Sequence, residues 1–173
     1  MSHLNPLRVL FICTHNSARS ILSEALLNHM ALGRCVAYSA GSSPRANQTP
    51  HPLALSVLEQ AGITTVGLRS KSWDEFSQVG ATPMDLVITV CDNAAGEICP
   101  LWQGSPAKLH WGFADPSATE GTAAQQIAAF NRTMNLIKAR LEAFLNLPMW
   151  LDETLLMRDP SSLQAQLNTL ARQ

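Results

Sequence analysis

The run Arg8-Val-Leu-Phe-Ile-Cys13-Thr-His-Asn-Ser-Ala-Arg19-Ser20 constrains the fold more than any other part of this chain. An apolar strand pattern ends in a cysteine, a short polar loop follows, and Arg19 and Ser20 open an amphipathic run. Such a strand–loop–helix gathers loop N–H groups and a helix N-terminus around one point, an arrangement that binds anions. Arg19 adds a planar fork of donors for two oxygens of a tetrahedral oxyanion. Cys13, Thr14, His15, Asn16, Ser17, Ala18 and Arg19 therefore form a candidate oxyanion loop. Cys13 lies in that positive field, so its thiolate is expected to be favoured, with a pKa well below the free value of about 8.5. A thiolate under a bound oxyanion is a nucleophile aimed at the central atom. Ser20 can hydrogen-bond the sulfur and assist it as nucleophile or leaving group. The competing reading is a buried strand-end cysteine beside an unrelated surface arginine.

The rest of the chain alternates in the same style. Short apolar runs at Arg8–Ile12, Arg34–Ser39, Asp85–Val90 and Lys108–Trp111 read as strands, and Val87, Ile88 and Val90 suit a strand buried on both faces. Between them lie helical patterns. Ala18, Ile21, Leu22, Ala25, Leu26 and His29 share one face, and Ala54, Leu55, Leu58 and Ala61 share another, with Gly62 as a stop. A long helix from about Thr122 to Asn146 carries the stripe Ile127, Phe130, Met134, Ile137, Leu141 and Phe144, and Pro148 ends it. The expected fold is α/β: an open, mainly four-stranded parallel sheet with helices on both faces, its ligand at the carboxyl ends of the strands. Cys13 and Cys91 both lie at such ends. Residues 1–147 form the expected domain and 148–173 a helical extension. There Leu163, Leu167 and Leu170 fall on one helical face behind a Ser161/Ser162 cap, packed on the same domain or against another copy.

Composition narrows the function classes. The chain has 173 residues and a net charge of −1, so it can bury a core but offers no bulk attraction for nucleic acid or an anionic membrane. Its apolar stretches are too short to span a bilayer, and the first residues lack the regions of a signal peptide. A cytoplasmic location is expected. In that compartment, the four cysteines point to catalysis, redox chemistry or simple burial rather than a disulfide framework. No metal site is expected, since the histidines lack ligand spacing with the cysteines.

Two further motifs can work with the loop. Asp115-Pro116 follows the fourth strand, and a carboxyl there can protonate a departing oxygen as general acid, with Pro116 stiffening its approach. Cys91 and Cys99 bracket a Gly-containing segment. A hydrolase of this kind needs one cysteine, whereas three suit a thiol–disulfide relay in which each thiolate attacks the previous sulfur. The alternative is that Cys91 is core and Cys99 incidental. Cys35, inside a strand pattern, reads as core. Trp73, Trp102 and Trp150 read as packing or loop anchors.

At this point the chain resembles a known family. The segments Cys13-Thr-His-Asn-Ser-Ala-Arg19-Ser20, Tyr38-Ser-Ala-Gly41, Asp85-Leu-Val-Ile-Thr-Val-Cys91, Cys99-Pro100 and His110-Trp-Gly-Phe-Ala-Asp115-Pro116 are similar to the arsenate reductases built on the low-molecular-weight tyrosine phosphatase fold. The resemblance runs from about Arg8 to Leu145. It implies that arsenate binds the Cys13–Ser20 loop, with phosphate or sulfate as mimics, that Cys13 attacks arsenic, and that Asp115 protonates the leaving oxygen. It also implies that Cys91 attacks Cys13 and that Cys99 then attacks Cys91. The resulting disulfide would be reduced by thioredoxin, with glutaredoxin and glutathione as the other candidate reductants. No bound cofactor is implied, and Asn16 would brace the loop.

The chain departs from the family in places. Position 15 is His where many relatives have Gly, and position 18 is Ala where many have Cys. Some relatives bind potassium through an acidic residue near position 71; here it is Lys71, whose ammonium can take that place, while Glu24 and Ser39 match the rest. The Cys91–Cys99 spacing is one residue longer than in better-known thioredoxin-linked members. The alternative function is a phosphatase acting on phosphotyrosine or small phosphate esters. It is weakened by Ser117-Ala118-Thr119, which stand where such enzymes commonly carry aromatics. A non-catalytic oxyanion or redox module is the third reading, opposed by the intact Cys13, Arg19 and Asp115.

Overall fold

Four short apolar segments supply a parallel sheet, and the helices between them carry the chain back to start each new strand. A computed structural model describes residues 5–92, 102, 105–150 and 160–170. The strands are β1 (Leu7–Cys13), β2 (Cys35–Gly41), β3 (Leu86–Thr89) and β4 (Ala107–His110). The helices are α1 (Arg19–Met30), α2 (Pro52–Gln60), α3 (Asp74–Ser77), α4 (Ala123–Leu145) and α5 (Pro160–Asn168), with 3-10 turns at Pro116–Ala118 and Pro148–Trp150. The strand order is β2-β1-β3-β4, and every pairing is parallel. Every β1 residue except Arg8 is buried, so the middle of the sheet is covered on both faces. That is why its strands read as continuous apolar runs.

This order puts chemistry at one edge. From β1 the chain steps outward to β2, then passes back across β1 to reach β3. The crevice beyond the carboxyl ends of β1 and β3 is therefore the topological switch point, where open α/β sheets bind ligands. Cys13 closes β1, and Cys91 follows β3 with Val90 tied to β1 through its N–H to the Ile12 carbonyl at 2.9 Å.

The long helix is set by local signals at both ends. Thr122 and Gln125 form a reciprocal capping box, and Asn146 is the C-cap. Phe130, Ile137, Leu141 and Phe144 of its stripe are buried, and α4 packs against α1 and α2. Gly62, at φ 76°, makes the left-handed stop after α2. Several expectations shift. His29 is exposed, because it lies on the side of α1 turned away from the core that still holds Leu27 and Ala31. In α2 the buried set is Ala54, Val57 and Leu58, with Ala61 outside. The fourth strand spans Ala107–His110, one residue earlier than expected.

The tail helix α5 starts at Pro160, so Ser161 and Ser162 sit within its first turn rather than before it; proline suits that turn because its missing N–H would have no partner there. Leu163, Leu167 and Leu170 join the same buried cluster as the sheet. Gln164 Oε1 accepts the Lys108 N–H at 2.9 Å, so α5 covers the edge strand β4. Among the described residues no helix is long and apolar enough to cross a membrane.

Candidate active site

The loop after β1 is built around Asn16. This residue is fully buried and left-handed, at φ 57°, a conformation that asparagine tolerates better than most side chains. Its amide donates to Ser20 Oγ at 2.7 Å and to Ser39 Oγ at 2.9 Å. Its side-chain oxygen accepts the Lys71 N–H at 3.0 Å, and its carbonyl accepts the Ser70 hydroxyl at 2.6 Å. Asn16 thus ties the loop to α1, β2 and the segment before α3. Gly41 closes the cradle from beneath: a Cβ there would lie 2.7 Å from the Thr14 carbonyl oxygen and 2.9 Å from the His15 carbonyl carbon. Glycine at that position is what allows the loop to rest on the end of β2.

Cys13 sits at the centre. Its Sγ is 2.8 Å from Ser20 Oγ and accepts the Asn16 N–H at 3.2 Å. Helix α1 begins at Arg19 behind Ala18, which gives no side-chain cap; the Ser20 N–H in its first turn is directed at the Cys13 sulfur instead. The depressed thiol pKa expected from the sequence is not what the site shows. Burial is the largest influence and pushes the Cys13 thiol up, while the Ser20 hydroxyl and N–H and the Asn16 N–H pull it down. Arg19 is turned elsewhere: its Nη1 donates to the Phe113 carbonyl at 2.9 Å, and Nη2 lies 3.6 Å from Asp115 Oδ2. His15 is held at the rim, with its Nδ1 3.0 Å from the Ser43 carbonyl oxygen.

Asp115 is brought to this loop as the order of elements suggested. Its Oδ1 accepts the Ser117 N–H at 3.0 Å and the Ser117 hydroxyl at 2.7 Å, leaving Oδ2 on the side of Arg19. Ser117, read in the sequence only as the absence of an aromatic, therefore orients the carboxyl. His51, which sequence reasoning passed over, is part of the same neighbourhood. It caps α2 by accepting the Leu53 N–H at 3.1 Å, and its own N–H reaches the Ser17 carbonyl at 2.8 Å. Its ring lies against Phe130, with centroids 4.7 Å apart. Burial lowers the pKa of this imidazole, and the Asp115 carboxylate partly restores it. The signal available in sequence was the His51-Pro52 pair at a helix start.

A second sulfur faces the loop. Cys91 is buried, and its Sγ is 3.5 Å from Thr14 Oγ1. Cys13, Cys35 and Cys91 are free thiols. Cys99 lies outside the described residues. Cys35 is core, as read from its strand pattern, and burial pushes its thiol up to about 12, which leaves it inert as a nucleophile. Trp102 is buried and meets Trp73 edge to face, with centroids 5.9 Å apart.

Behind the loop, Lys71 Nζ lies 3.8 Å from Glu24 Oε1, which also accepts the Ser39 hydroxyl at 3.1 Å. Burial works against both charges, raising the pKa of Glu24 and lowering that of Lys71, and each opposes the shift of the other. Glu24 is thus faced by the lysine ammonium. Among the described residues no group of three or more His, Cys, Asp or Glu is placed to hold a metal ion.

The comparisons agree with this architecture. The sequence profile of the low molecular weight phosphotyrosine protein phosphatase family matches residues 8–158. The arsenate reductase of Halalkalibacterium halodurans is 30% identical over 141 residues, covering 82% of this chain and 96% of that protein. That of Bacillus licheniformis is 33% identical over 136 residues, covering 79% and 93%. Among solved structures, the arsenate reductase of Archaeoglobus fulgidus superposes with a TM-score of 0.61 at 26% identity, covering 79% of this chain and 98% of that one. The thioredoxin-dependent arsenate reductase of Corynebacterium glutamicum gives a TM-score of 0.58 at 27% identity; 83% of this chain is covered but only 62% of that one. From the cysteine loop, the four-stranded sheet that carries it and these matches, the chain belongs to the low molecular weight phosphotyrosine protein phosphatase family, with arsenate reductases among its relatives.

Proposed function

We propose that this chain reduces arsenate to arsenite through a cysteine relay. The observation that carries the reading is the second buried sulfur at the loop: Cys91 Sγ stands 3.5 Å from the hydroxyl of Thr14, the residue after the nucleophile. Ester hydrolysis needs no such group. Reduction does.

In this mechanism a tetrahedral oxyanion sits on the loop N–H groups from Thr14 to Arg19, and the guanidinium swings from Asp115 to grip it. The Cys13 thiolate, supported by Ser20 and Asn16, attacks arsenic. An oxygen leaves as water, with Asp115 supplying the proton. The Cys91 thiolate then attacks Cys13 Sγ. An S–S bond forms, the S–As bond breaks, and its electron pair passes to arsenic, which leaves as arsenite. Cys99 next attacks Cys91, freeing Cys13 as thiolate and leaving a Cys91–Cys99 disulfide. A dithiol carrier returns two electrons; thioredoxin is favoured, and a glutathione-linked glutaredoxin is the other candidate. No bound cofactor enters the cycle, and the site of action is cytoplasmic.

The test is arsenate-dependent NADPH oxidation with thioredoxin and thioredoxin reductase, with p-nitrophenyl phosphate hydrolysis run in parallel. Sustained oxidation requiring both arsenate and thioredoxin is expected, together with slow ester hydrolysis. Brisk ester hydrolysis with no oxidation under either reductant system would make the protein a phosphatase.

A further inference from the structure

Next to Cys91 is a polar clasp that the chemistry above does not use. His110, at the end of β4, has its Nδ1 2.7 Å from Thr89 Oγ1 and its Nε2 2.9 Å from Asp92 Oδ1. Thr89 and Asp92 flank the Val90-Cys91 step, so one imidazole grips both sides of it. The backbone repeats the grip. Trp111 N–H donates to the Thr89 carbonyl at 2.8 Å, and Phe113 N–H donates to the Val90 carbonyl at 3.3 Å. Gly112 leaves room for the clasp, since a Cβ there would meet Asp92 Oδ1 at 2.8 Å. The same short segment reaches the oxyanion loop, because the Phe113 carbonyl accepts Arg19 Nη1. His-Trp-Gly-Phe is thus a bracket with Cys91 on one end and Arg19 on the other.

We infer that His110 is a positioning residue for the relay: it fixes the turn after β3 so that Cys91 Sγ is presented to Cys13, and it leaves the attack on the oxyanion to other groups. This rests on the relay reading above. Thr89 is nearly buried, whereas Asp92 is exposed; an exposed pair contributes little by itself, so the Thr89 contact carries most of the hold. The step affected is the second one: Cys91 first gives its proton to solvent, and the thiolate then forms the S–S bond with Cys13 Sγ while the S–As pair goes to arsenic. Misplacing a reacting atom by about an ångström costs up to about a hundredfold in rate.

The experiment compares single-turnover arsenite release with p-nitrophenyl phosphate hydrolysis in the same preparations of His110→Ala, His110→Asn and Thr89→Val. The ratio of arsenite release to hydrolysis is expected to fall by about tenfold or more in His110→Ala and Thr89→Val. It should recover substantially in His110→Asn, whose amide can still reach Thr89. An unchanged ratio in the first two, or an equal fall of both activities, would overturn the proposal; Thr89→Val keeps it testable if His110→Ala fails to fold. A Cys91→Ser control separates the two levels. Loss of arsenite release there with an unmoved ratio in the clasp variants would sink the clasp alone, whereas undiminished release would overturn the relay reading and the clasp with it.

Discussion

Cys13 carries two opposed influences, and their balance is set by its immediate partners rather than by the arginine. Burial favours the thiol, and the Ser20 and Asn16 donors favour the thiolate. Removing a donor that stabilises the charged form must raise the pKa, so less thiolate is present at any given pH. Ser20→Ala is therefore expected to move the pH profile of iodoacetamide alkylation at Cys13 to higher pH. At pH 7 the rate should fall by about tenfold, the effect of losing a hydrogen bond of about 1.5 kcal/mol to a charged group. A profile that stays in place would remove Ser20 from the activation of the thiol. Lys71 shows how far residue-level reading reaches. Its charge opposite Glu24 was legible as a substitution in a family pattern, but the shared Ser39–Asn16 network linking that pair to the loop needed coordinates.

At the scale of elements, the strand–loop–helix and the long helix were legible because their signals are local. Apolar runs, a helical stripe and a helix-ending proline act within a turn or two of where they stand. What escaped the sequence were contacts made across the fold. Helix α3 is too short to leave a period, and the service of Gly41 to the loop depends on β2 lying beside β1. The register that pairs Cys13 with Gly41 decides it. Gly41→Ala would push a methyl into the Thr14 and His15 backbone, which no rotamer change can relieve. It is expected to destabilise the protein by about 1–3 kcal/mol and to depress turnover of p-nitrophenyl phosphate as the loop is displaced. Thermal unfolding and steady-state kinetics on the one variant check both. His51 belongs to the same class, since its cap on α2 could be guessed but its place beside Asp115 could not.

At the scale of the whole molecule, the β2-β1-β3-β4 order brings distant stretches of sequence to one edge. Cys13 closes β1, Cys91 follows β3, and Asp115 and His110 come from β4 and the segment after it; in the proposed relay these are the nucleophile, the second sulfur, the acid and the clasp. The tail helix serves a different end, covering β4 and adding its leucines to the core. Leu167 is fully buried, and Leu167→Ala is expected to cost about 2–5 kcal/mol and lower the melting temperature. The specific activity of the folded fraction should be unchanged, because α5 packs on β4. A loss of activity without loss of stability would give the tail a role in the site itself.

The central claim is that Cys91 resolves the arsenic–sulfur bond formed on Cys13. Its most direct test is disulfide mapping by non-reducing peptide mass spectrometry on Cys99→Ser after one turnover of arsenate without external thiols. The expected result is a Cys13–Cys91 cross-link in proportion to the arsenite released. Arsenite release with both thiols still free, or with Cys13 linked to Cys35, would contradict it.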